Sequence, residues 1–185
     1  MPIFAYMIAE GCRYTKNRPR YLLTIAATAL ACQMVYLIFQ RSLTQCILVT
    51  FSLSILLIYG VDYASQKKTL LSLTVLGTVF AAAGYLTVVL PKTLPGFTVD
   101  YGFAGVLLPV FIYMGRTKEE KLLLTAAGLA VLAMSLNRIQ WYALLSVPLL
   151  ALYNGSRGRL RLKYLFYLYY PLHLAVIYAI SVLLR

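Results

Sequence analysis

His173 is the single histidine of the sequence, and it lies in a tyrosine-rich apolar run, KYLFYLYYPLHLAVIY at 163–178. Imidazole takes up and releases protons near neutral pH, so a histidine among hydroxyls is a candidate general base for an incoming amine or hydroxyl. No charge separates Lys163 from Arg185, which leaves 21 uncharged residues at 164–184 when His173 is neutral. A bilayer core needs about 20. At about 1.5 Å rise per residue, His173 sits about 15 Å beyond Lys163, near mid-membrane. On a helical wheel Lys163, Tyr167, Tyr170, His173, Ile177 and Tyr178 fall within about 140° of one another. Such a face belongs inside protein, because polar groups in hydrocarbon are costly. Pro171 cannot donate to the carbonyl four residues back, so a kink is expected beside His173. The same face equally fits plain hydrogen bonding to neighbouring helices, with no catalytic part.

Two basic loops supply the other candidates. Glu10 and Arg13 are three apart, share a helix face and can pair. Lys16, Asn17, Arg18, Pro19 and Arg20 follow, with Pro19 placed to start the next helix. Far along the chain Asn154, Gly155 and Gly158 make a turn from which Arg157, Arg159, Arg161 and Lys163 project. Arginine forks bind phosphate, so the two loops could converge on a polyanion such as a coenzyme phosphate. The alternative is that they anchor the chain at lipid head groups. Asp62, Asp100, Glu119 and Glu120 read as solvated or helix-capping groups, and end-of-segment tyrosines such as Tyr63 and Tyr113 as interfacial belts. No nucleophile elbow, CxxC pair or HExxH motif occurs, and Cys12, Cys32 and Cys46 imply neither a disulfide framework nor a metal site.

The elements that must hold these residues are membrane helices. Hydrophobic residues make up 62% of the chain and charged ones 12%, against about 45–50% and 25% in soluble domains. Eight apolar segments are expected, at about 1–11, 21–39, 45–64, 69–90, 101–115, 122–136, 139–153 and 164–184, the first one short. The fold class is an all-α polytopic transmembrane bundle, with 1–185 a single integral membrane domain. The net charge of +12 comes from basic residues scattered among short loops, which excludes a nucleic-acid-binding domain and reads as topology. Alternate loops hold 13 and 4 of the 17 Lys and Arg residues, which places the loops at 12–20, 65–68, 116–121 and 154–163 in the cytoplasm. Keeping that bias requires a hairpin at Asn137 and Arg138. It also leaves the amino terminus outside with almost nothing before its apolar run, so a further helix is expected ahead of Met1.

The stretches PIFAYMIAEGCRYTKNRPRYLLTIAATALACQ at 2–33, TFSLSILLIYG at 50–60, YNGSRG at 153–158 and KYLFYLYYPLHLAVIY at 163–178 together resemble the TraX family of bacterial inner-membrane proteins. The resemblance runs in order over nearly the whole chain. It implies an acetyltransferase of the kind that modifies the amino terminus of a conjugative pilin, within a larger group of membrane acyltransferases. Glu10, Arg13, Thr15 and Asn17 match the first-loop pattern, Asn154, Gly155, Arg157 and Gly158 the second, and Lys163, Tyr167, Tyr170, Pro171 and His173 the terminal helix. The family usually carries an extra amino-terminal helix with an Asp-His pair, which this sequence begins after.

The resulting expectation is a multi-pass enzyme of the bacterial inner membrane that uses cytoplasmic acetyl-CoA and no metal. Arg13, Lys16, Asn17, Arg18, Asn154, Arg157, Arg161 and Lys163 would hold the coenzyme. His173, oriented by Glu10, would be the base, and Tyr170 or Arg13 would stabilise the oxyanion. The acceptor would be a pilin-like amino terminus or a surface glycan, reached among membrane lipids. The rival class is a small transporter or assembly subunit in which the same polar face carries a proton or binds a partner helix.

Overall fold

The computed structural model describes residues 1–40 and 43–155 and, in the last segment, Tyr169, Leu172, His173, Val176 and Ile180. Over these residues the chain is helical: α1 (Pro2–Tyr14), α2 (Arg18–Val35), α3 (Ile47–Lys67), α4 (Leu70–Gly84), α5 (Leu90–Thr93), α6 (Gly102–Met114), α7 (Lys118–Ser135) and α8 (Ser146–Ala151). A π-helical stretch, Tyr36–Gln40, extends α2, and a second, Tyr85–Val89, joins α4 to α5. A 3₁₀ stretch, Arg138–Leu145, leads into α8.

Local chemistry explains the boundaries. Asn17 caps α2, its side chain accepting from the Arg20 N–H, while Pro19 occupies the first turn, where its missing N–H costs nothing. Thr69 and Ser72 form a reciprocal capping box at α4, and Thr117 and Glu120 form another at α7. The second box starts α7 a turn before the expected apolar run. The break expected at Asn137 and Arg138 is present, since α7 ends at Ser135 and Asn137 is extended.

Among the described residues, three stretches are long and apolar enough to cross a membrane: Arg18–Ile38, Ile47–Lys67 and Leu70–Thr93. The protein is therefore read as a membrane protein. Segments expected at 101–115, 122–136 and 139–153 correspond to shorter or more charged helices.

The centre of the described bundle is α3. Half of its most apolar window is buried, against 17% and 11% for the windows of α2 and α4. Phe51, Ile55, Leu57 and Ile58 of α3 pack into one core with Ala5, Ala9 and Cys12 of α1 and with Val106, Leu108 and Ile112 of α6.

Polar side chains inside the bundle return their hydroxyls to backbone carbonyls. Ser54 Oγ donates to Thr50 O and to Val106 O, and Thr125 Oγ1 donates to Lys121 O. This removes the cost of a bare hydroxyl in an apolar interior. At one end of the bundle Gln45 pairs with the 98–100 stretch, through Gln45 N to Thr98 O at 2.7 Å and Asp100 N to Gln45 O at 3.2 Å. The α1–α2, α3–α4 and α6–α7 turns lie at the other end.

Candidate functional site

Helix α6 ends without a basic residue in its own last turn, so its final carbonyls need donors from elsewhere. Arg13, at the end of α1, supplies them. Its Nη2 lies 2.6 Å from both Tyr113 O and Gly115 O, and its guanidinium sits over the Tyr113 ring, 5.3 Å from the centroid. A cation at a helix carboxy terminus is also favoured by the macrodipole. Gly115 lets the start of α7 pack close to the end of α6, because a Cβ there would lie 2.9 Å from Lys121 N. The Nε of Arg13 is buried and has no hydrogen-bond partner among the described residues.

Beside this cap stands Asp62, near the end of α3. Its Oδ2 accepts from Arg18 Nη2 at 2.5 Å and from the Tyr113 hydroxyl at 2.8 Å. Arg18 in turn lies over the Tyr59 ring, 5.2 Å from its centroid, and the Tyr59 hydroxyl donates to Arg18 O at 3.3 Å. Asp62 is therefore an internal node between α2, α3 and α6, and Tyr113 is part of the same node. Neither is the solvated cap or belt residue that its sequence position suggested.

The pairing expected between Glu10 and Arg13 does not occur. Glu10 Oε1 instead receives Lys121 Nζ at 2.6 Å, with the side chains only 13% and 10% exposed. The reason lies in the direction of the two side chains: Arg13 reaches the end of α6, and Glu10, one turn earlier, faces the start of α7.

Between these groups opens a cleft of about 290 Å³ lined by Arg13, Val61, Asp62, Tyr113, Met114 and Arg116. It gathers two guanidiniums, a carboxylate and a phenol. Such a set can bind an anion, polarise a carbonyl or pass a proton, and it offers no nucleophile of its own.

Comparison with known proteins bears on what kind of molecule holds this cleft. A family model described as TraX protein matches residues 1–181, nearly the whole chain. The chain belongs to the TraX family. No curated protein and no solved structure matches it. The TraX family is associated with conjugative pilin processing, and TraX is a bacterial conjugation family.

Within this TraX chain the expected site residues are placed as follows. Arg13 lines the cleft and Arg18 braces its wall through Asp62. Lys16 and Asn17 are exposed on the α1–α2 turn, Asn17 as the cap of α2. Asn154 is exposed beside Gly155, whose φ of 74° is the left-handed turn conformation that glycine favours. Arg157, Arg161, Lys163 and Tyr170 lie outside the described residues. His173 stacks on Tyr169 with ring centroids 5.2 Å apart, and its Nδ1 lies 3.1 Å from Tyr169 O. A carbonyl only accepts, so in this contact Nδ1 is the donor.

Sequence reasoning missed Asp62, Tyr113 and Lys121 as site groups. The signal available was Asp62 itself: a carboxylate near the end of a long apolar helix, in a chain with 17 cations and 5 acids, calls for a cationic partner.

Proposed function

We propose that this TraX protein is an acetyltransferase of the bacterial inner membrane. It moves an acetyl group from acetyl-CoA to an amine or hydroxyl acceptor, such as a pilin-like amino terminus or a surface glycan. The observation that carries the reading, besides family membership, is the cleft where Arg13, Asp62, Tyr113 and Arg116 meet. It lies at the basic-loop end of the bundle, the end that charge bias assigns to the cytoplasm.

In this reading the coenzyme phosphates rest on Lys16 and Arg18, with Arg157 and Arg161 from the second loop. Asn17, Asn154 and Lys163 complete the coenzyme site in the same reading. The buried, unpartnered Nε–H of Arg13 fits an anionic oxygen: an unmet buried donor costs about 1–3 kcal/mol, which such an acceptor would relieve. Arg13 or Tyr170 stabilises the oxyanion formed when the acceptor attacks the thioester carbonyl. His173 takes the acceptor's proton, the C–S bond breaks, and the coenzyme leaves as a thiolate that recovers the proton. Glu10 acts through its Lys121 pair, which fixes α1 against α7, rather than on His173.

The test is transfer of label from radioactive acetyl-CoA in membranes with the chain, without it, and with His173→Asn. Label that needs both the chain and His173 is expected. Label retained in His173→Asn removes His173 as the base. No label from any membrane component in the presence of the chain moves the reading to transport or assembly.

A further inference from the structure

The polar cleft does not end at protein. Val61 is shared between it and a second cavity of about 540 Å³ on the apolar flank of the bundle, bounded by Leu57 and Val61 of α3, Leu73 and Gly77 of α4, and Leu107 and Phe111 of α6. Leu57, Val61 and Asp62 follow one another up α3, and Leu107, Phe111, Met114 and Arg116 follow one another up and beyond α6. Helices α3 and α6 run in the same direction and finish at the end where the cleft lies, so the trough adjoins the cleft at Val61. At about 1.5 Å per residue the 107–114 face alone extends roughly 10 Å. Its character changes along that length, from an apolar trough to a cleft with two guanidiniums.

We propose that this surface is a binding site for an anionic phospholipid, with one acyl chain in the Leu57–Phe111 trough and the phosphate against Arg116 at the mouth of the cleft. Charge decides the class of occupant. Asp62, the cleft's one acid, is already neutralised by Arg18 and hydrogen-bonded by Tyr113. The Arg116 side chain is exposed and forms no ion pair among the described residues, and Arg13 Nε lacks an acceptor. The unmet groups at the polar end are therefore donors and cations. A cationic head group leaves them unmatched, a zwitterionic one offers its phosphate but adds a cation to a site already rich in them, and a free phosphate leaves the trough empty. The site presents a membrane amphiphile next to Arg13, and its existence is independent of acetyl transfer.

Two variants probe the ends separately. Arg116→Gln removes an exposed charge. Gly77→Leu fills the trough without displacing anything, since no atom lies within 4 Å of a Cβ built at Gly77. The purified full chain, delipidated in detergent, is titrated with phosphatidylglycerol or with phosphatidylcholine of the same acyl chains and examined by native mass spectrometry, with thermal unfolding as a check on folding. One phosphatidylglycerol should be retained at least about five-fold better than phosphatidylcholine, the advantage expected of one matched basic residue. Arg116→Gln should erase the preference, and Gly77→Leu should weaken retention of both lipids. Equal retention of the two lipids, phosphatidylglycerol binding unchanged in both well-folded variants, or displacement by glycerol phosphate alone at matched concentration would overturn the proposal. Lipid retention together with absent label transfer would sink the transferase reading and leave this one standing.

Discussion

Lys121 Nζ and Glu10 Oε1 lie 2.6 Å apart, 111 residues apart in sequence and almost shielded from solvent. The pair ties α1 to α7. Burying it has a desolvation cost, so the pair is better understood as fixing the relative position of two helices than as a net source of stability. Removing one partner is another matter. Glu10→Gln should leave the Lys121 charge buried and unmatched, and lower unfolding stability in detergent by about 3 kcal/mol. Glu10→Leu with Lys121→Met should recover most of it. A double variant no more stable than the single one would show that the pair is not the connection between these helices.

Arg13→Lys should destabilise the protein by about 1–3 kcal/mol although charge is kept. A single ammonium lacks the planar fork that lies over Tyr113 while reaching the two carbonyls at the end of α6. Thermal unfolding midpoints compared with Arg13→Met would separate geometry from charge. Equal midpoints for Arg13→Lys and the parent would refute the fork argument.

The Arg18, Asp62 and Tyr113 node should show coupling. Arg18 is 42% exposed and the Asp62 side chain 16%, so solvent screening holds the effect of Asp62→Asn to about 1 kcal/mol. Tyr113→Phe should cost a similar amount alone. In a double-mutant cycle the two should be sub-additive, because both remove a bond to the same Oδ2. Strict additivity would mean that the hydroxyl and the ion pair act independently.

Glu120 gives a pH dependence of known sign. The backbone N–H groups of Arg116 and Thr117 donate to its carboxylate and hold its pKa below the ordinary value. A carboxylate with a depressed folded-state pKa contributes stability above its ordinary pKa, and that contribution is lost as pH falls through the folded-state value. The Tm difference between the parent and Glu120→Gln should therefore be present at neutral pH and close under acid conditions. A difference that stays constant down to pH 3 would contradict the capping role.

The helices were legible in the sequence because their causes are local. The apolar run of α3, Pro19 after Asn17, and the Thr117–Glu120 box each act within a turn or two of the chain. The break at Asn137 was read instead from the charge bias of the loops, which required a hairpin there. The 3₁₀ form of the Arg138–Leu145 stretch was not readable, since its apolar content is the same in either helix type. Family membership was also carried by sequence, through ordered stretches spread from residue 2 to residue 178.

Partners were a different matter. Sequence alone placed Glu10 and Arg13 as charges near the end of an apolar run that would need partners, and read Asp62 as solvated or capping. It did not determine which partners. Spacing of three favoured Glu10 with Arg13, yet the cost of bare carbonyls at the end of α6 draws Arg13 there, and Lys121 takes Glu10. Asp62, Arg18 and Tyr113 meet only because α2 and α6 both pack on α3. Pairing energies for charges depend on distance and burial, and both are set by how helices pack rather than by how residues are spaced along one of them.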